Sequence, residues 1–113
     1  KYTVIMNFKD AQRVLEQLEA SQLKGLYEKL LRDALRYATI RVEWFMVSQE
    51  ERIAMDADRT IAHNNFISSC DVMARNMAAH GEDSTWRNEL GPDRKVIGDF
   101  ACYLYAIMGV RAR

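Results

Sequence analysis

Chemistry-bearing side chains concentrate in one stretch of this sequence, from Asp56 to Asn76, which holds His63, Asn64, Asn65, Ser68, Asp71 and Arg75. A neutral imidazole at His63 could act as a general base if Asp71 or Asp99 oriented it. The same residues could also line a polar pocket for a small ligand. On a helix, Asn64, Ser68, Asp71 and Arg75 fall on one stripe, and Asp71 stands four residues before Arg75, the favourable order for an ion pair. Helical arithmetic restricts what else is possible. Asp56 and His63 share a face but sit roughly 10 Å apart, and Asp58 and His63 point about 140° away from each other. Neither pair has the i,i+4 spacing of a zinc-binding helix. The ligand-site expectation is therefore His63, Asn64, Asn65, Asp71 and Arg75, joined by Asp99, with no metal and no catalytic assignment. The competing expectation is an amphipathic helix whose polar flank is solvated, with Ala62, Phe66, Cys70, Met73 and Met77 as its apolar stripe.

Other chemistries find less support. Glu16-Gln17-Leu18-Glu19 matches the first half of the magnesium-holding carboxylate pattern of all-α nucleotide pyrophosphatases, but no ExxD follows. There is no glycine-rich phosphate loop, nucleophile elbow or EF-hand loop. Cys70 and Cys102 lie on apolar stripes and read as small hydrophobes, and no CxxC pair occurs, which points to a reducing cytosolic setting. No signal- or transit-peptide pattern opens the sequence. Sixteen Lys plus Arg balance sixteen Asp plus Glu, which removes the overall positive field typical of nucleic-acid binders. The six methionines read as core filler, and Trp44 and Trp86 as possible interface anchors.

The elements that must position these groups are helices. A chain of 113 residues, 49% hydrophobic, with one Pro and five Gly, suits one helical domain over residues 1–113 whose stability needs no cofactor. Lys1 to Met6 reads as a short extended lead-in. Asn7 caps a first helix with Asp10 three residues on, and Phe8, Ala11, Leu15 and Leu18 form its apolar face. After a weak boundary at Ala20-Ser21-Gln22, a second helix runs to about Val47. Leu23, Leu26, Leu30, Ala34, Ala38, Val42, Phe45 and Met46 form its apolar arc, with Glu28–Arg32 and Lys29–Asp33 pairs on its wet face. Ser48-Gln49-Glu50-Glu51 has the capping-box spacing, and the third helix it starts reaches His80, roughly 45 Å, with Gly81 placed to end it. Asp83 or Ser84 caps a short turn, and a last helix spans Pro92 to about Val110. Three to four main helices with short connections make an antiparallel all-α bundle.

From Val96 to Val110 the only formal charge is Asp99, so this last helix has almost no face suited to water. It is too short for a bilayer, which needs about 20 apolar residues. Two expectations compete: a central helix wrapped by its own chain, or one that also gives the seam Val96, Phe100, Tyr103, Ile107 and Val110 to a second copy, making a homodimer. Asp99 needs a cation, with Arg75 preferred over Arg59 and Arg87.

His63-Asn64-Asn65, Trp86-Arg87, Gly98-Asp99-Phe100-Ala101 and the ending Gly109 to Arg113 together resemble a small bacterial or prophage family of unknown function. The resemblance covers the C-terminal half. It implies a bacterial cytoplasmic origin and supplies no activity, cofactor or site. The resulting expectation is a cytoplasmic, self-associating interaction or regulatory module without catalysis. It would act as a homodimer or with an unidentified protein partner, with no cofactor and no membrane, and with nucleic acid disfavoured. The alternative is a small-molecule binder or hydrolase using the polar side of the long helix.

Overall fold

A computed structural model describes residues 6–113. It is an all-α helical bundle of α1 (Phe8–Ala20), α2 (Lys24–Met46), α3 (Gln49–Ala79), α4 (Thr85–Leu90) and α5 (Arg94–Arg111), antiparallel except that α1 runs parallel to α5. The expected extended lead-in falls, apart from Met6, outside the described residues; Met6 is buried.

Local chemistry sets the helix boundaries. The Asn7 side chain accepts from the Asp10 amide while the Asp10 carboxylate accepts from the Asn7 amide, a reciprocal cap that fixes the start of α1. Ser21 ends α1, its hydroxyl and its amide both donating to the Leu18 carbonyl. Ser48 and Glu51 form the second reciprocal cap, turning the chain sharply between α2 and α3. Gly81 (φ 73°) and Gly91 (φ 66°) take the left-handed backbone at the ends of α3 and α4, where a side chain would be strained. The last helix starts two residues later than its sequence suggests. Asp93, rather than Pro92, occupies the junction, and its carboxylate accepts from the Lys95 amide.

The long antiparallel hairpin of α2 and α3 is the frame. Contacts pair Trp44 with Arg52, Tyr37 with His63 and Lys29 with Ser69, so the two helices run side by side in opposite directions. Helix α5 lies antiparallel along α2, with Arg41 beside Asp99 at one end. Helix α1 runs along α5, from the Phe8–Tyr103 ring pair to the Glu19–Arg111 ion pair, and α4 packs on α3. Phe66 sits at the centre, its ring beside those of Tyr37 and Phe100, with centroids 6.3 and 5.9 Å away. Leu15, Leu18, Leu30, Met73, Trp86 and Leu104 complete this core.

Several expectations change here. The apolar arc of α2 does not stay inside: Val42, Phe45 and Met46, past the Arg41–Asp99 contact with α5, are exposed. Of the methionines, Met6, Met73 and Met77 are buried, whereas Met46 is 79% exposed. Trp86 is fully buried, so it anchors α4 to its own chain. Lys29–Asp33 forms at 2.7 Å and Glu28–Arg32 does not. The proposed seam of α5 is largely spent internally. Phe100 and Ile107 are buried in the chain's own core, Val96 and Tyr103 are half-buried, and only Val110 is exposed.

Candidate functional site

The six residues expected to form a ligand pocket do not converge. His63 is buried between α3 and α2, its ring meeting Tyr37 edge-on at 5.3 Å. Its Nδ1 lies 3.2 Å from Asn64 Oδ1, and no carboxylate orients it. Burial lowers its pKa; the Asn64 contact raises it again, and the positive charges of Arg94 and Arg59 lower it further. The imidazole is therefore neutral at pH 7, and the geometry gives it neither an orienting acid nor an open face. Asn64 and Asn65 stand at exposed positions of α3.

Asp71 and Arg75 share the expected stripe but do not pair. Arg87 of α4 reaches Asp71 first, with Nε 2.6 Å from Oδ1, and its second donor binds the Gly91 carbonyl at 3.1 Å. This bridge ties the short helix α4 and its exit turn to α3, a structural use of the Asp71 carboxylate. Arg75 is left exposed on a groove of about 260 Å³ that also includes Ser84, Arg87 and Asn88.

Asp99 is satisfied elsewhere. Its partners are Arg41 of α2 at 3.1 Å and Lys95 one turn back at 2.9 Å, not Arg75. The reason is topology: Arg75 lies on the α4 side of α3, while Asp99 faces α2. Partial burial would raise the Asp99 pKa, but hydrogen bonds from Lys95 and Arg41 outweigh it and hold the carboxyl below its ordinary value. Arg41 also donates to Cys102 Sγ at 3.5 Å and lies flat against Gly98, where an added Cβ would come within 2.8 Å of its guanidinium carbon. The small residue at position 98 thus admits the Arg41 side chain. Burial pushes the Cys70 thiol far above its ordinary pKa, so it stays an unreactive core group. Among the described residues, no three His, Cys, Asp or Glu side chains are grouped to hold a metal ion, and no helix is long and apolar enough to cross a membrane.

The feature that sequence reading missed is the far end of the hairpin. From Val42 to Ile61 no residue is buried. Five of the eight exposed large apolar side chains lie here: Val42, Phe45, Met46, Ile53 and Ile61. Trp44 organises this surface. The Phe45 ring meets it edge-on at 5.3 Å, and the Arg52 and Arg59 guanidinium groups lie 4.4 and 4.8 Å from its ring centroid. Arg52 also donates to the Trp44 carbonyl at 2.8 Å and the Phe45 carbonyl at 3.4 Å, supplying the C-terminal cation that α2 itself lacks. Beside this stack, Trp44, Gln49, Arg52, Ile53 and Asp56 enclose a hollow of about 240 Å³. The available signal was length: α3 has 31 residues and α5 has 18, so part of the frame had to project beyond its cover.

Comparison with protein-family models, curated proteins and solved structures finds no match to this chain.

Proposed function

We propose that this chain is a protein-interaction module without catalysis, whose working surface is the far end of the α2–α3 hairpin. One observation carries the reading: a helical hairpin extends beyond its core while displaying Phe45, Met46 and Ile53 to solvent, 62%, 79% and 69% exposed. Contiguous exposed apolar side chains on a polar background are the mark of a docking surface. Self-association is one form such docking takes. A homodimer joined through the Val96–Val110 face is its weaker version, because Phe100 and Ile107 are already enclosed by their own chain. The bacterial cytoplasmic setting is part of the same proposal and rests on the resemblance of the C-terminal half. The small-molecule alternative keeps one supporting observation, the Arg75 groove, whose arginine joins none of the ion pairs among the described residues.

Site-directed photo-crosslinking tests the reading. A photoreactive residue at position 45 should give a discrete crosslinked species in cells that express the protein, and one at position 12, exposed on α1, should not. Equal labelling from both positions, or none from position 45, would remove the reading. The mass of the adduct distinguishes a second copy from a different protein.

A further inference from the structure

Charge divides the molecule where burial does. The whole chain is neutral, yet Val42 to Ile61 holds five acidic residues against two arginines, a net charge of −3 that leaves the remainder at +3. Both arginines are occupied at Trp44. Glu51 is turned back on Ser48 in the cap of α3. Glu43, Glu50, Asp56 and Asp58 are exposed and take part in none of the six ion pairs among the described residues. All six pairs belong to the packed end of the fold. The projecting end therefore combines uncovered apolar side chains with carboxylates that join no ion pair among the described residues.

We infer that the far end of the hairpin docks a basic amphipathic helix of another protein. The inference rests on the interaction-module reading and adds the chemistry of the partner. The apolar stripe of such a helix meets Phe45, Trp44 and Ile53, with Asp56 on the same flank, and its Lys or Arg residues are drawn in by the net negative charge of the whole hairpin end. End-to-end pairing of two copies of this surface would set −3 against −3, which like-charge juxtaposition disfavours.

Titration of the full chain with synthetic peptides tests this, with Trp44 emission as the readout and fully buried Trp86 as the unchanging background. The probes are an amphipathic helical Leu/Lys peptide and a Leu/Glu peptide of the same pattern. The Leu/Lys peptide should bind one to one and weaken as salt rises. Glu43→Lys, Asp56→Lys and Asp58→Lys combined reverse the charge of the hairpin end and should weaken binding by about tenfold or more. Phe45→Ser with Ile53→Ser should abolish binding, and Tyr105→Ser with Val110→Ser, at the other end, should leave it unchanged. Equal binding of the Leu/Glu peptide, lost in the Phe45/Ile53 variant, overturns the charge inference and keeps the module reading. A dimer seen by light scattering and dissolved by that same variant does likewise, because the occupant is then a second copy. Peptide binding indifferent to the Phe45/Ile53 substitutions, with no crosslink at position 45, removes both.

Discussion

The two ends of the α2–α3 hairpin use the same kind of helix for opposite purposes. At the packed end, α2 is covered by α5, α3 by α4 and by the Phe100 ring of α5, and Leu30, Tyr37, Phe66 and Met73 lie out of water. At the projecting end no residue from Val42 to Ile61 is buried, and Trp44 and the Arg52 side chain link the two helices. An apolar residue at the first end contributes the free energy of its burial; at the second it contributes almost nothing to folding and stays available for a partner. Apolar periodicity marks a helix face. What covers that face depends on where the neighbouring helices stop.

The sharpest test of this contrast is a pair of truncations. Phe66→Ala removes a ring enclosed by Tyr37 and Phe100 and should cost about 3–5 kcal/mol of unfolding free energy by urea titration. Ile53→Ala removes a side chain that is 69% exposed, and should stay within about 0.5 kcal/mol of the parent. Comparable losses at both positions would mean that the projecting end is covered in solution, by a second copy or by a different packing.

A subtler contrast concerns Gly98, at the junction between the two regions. Alanine is preferred to glycine inside a helix by about 1 kcal/mol, but here a Cβ would meet the Arg41 guanidinium that binds Asp99. The gain should therefore be absent from Gly98→Ala alone and reappear when Arg41 is also replaced by Ala. The double-mutant cycle should show a coupling of about 1 kcal/mol. Additive effects would place the Arg41 side chain away from Gly98.

The helices, their caps and most of the core were legible because they depend on neighbours within four residues. Asn7–Asp10, Ser48–Glu51, Gly81 and the capping role of Asp83 for Thr85 all follow from short-range spacing. The expected partnerships over longer range were not. Asp71–Arg75 is a sound helical pair, yet Arg87 arrives from α4 with a better-placed nitrogen. Arg75 is the partner that the sequence suggests for Asp99, but Arg41 wins through the antiparallel register of α2 and α5, which no local spacing encodes. The exposed end of the hairpin was hidden for the same reason: Val42 and Phe45 continue the periodicity of Leu30 and Ala38 without a break.

His63 makes a pH test confined to the packed end. Its folded pKa lies below the unfolded value of 6.5, chiefly through burial, so the unfolded chain binds more protons in the interval between the two. The stability it supports is complete above about pH 6.5 and is lost as pH falls below that value. His63→Leu should flatten the unfolding midpoint across the interval just below about pH 6.5, where the parent declines. A parent protein with no decline in that interval would mean that the imidazole is solvated.

The smallest effect on global stability should come from Arg52, although it is the best-connected residue of the projecting end. Arg52→Gln removes the donors to the Trp44 and Phe45 carbonyls and one of the two cations over the Trp44 ring. In a core, losing such a set would be costly. Here the groups released reach water at once, and Arg59 still covers the ring, so the urea midpoint should move by no more than about 0.5 kcal/mol. The change should instead be local. Amide hydrogen exchange through the last turn of α2 and the first turns of α3 should quicken, while amides near Phe66 and Met73 keep their protection. If Arg52→Gln lowered protection at Phe66 as well, the two ends would unfold as one unit, and the projecting end would be a strut of the core rather than a surface held out to a partner.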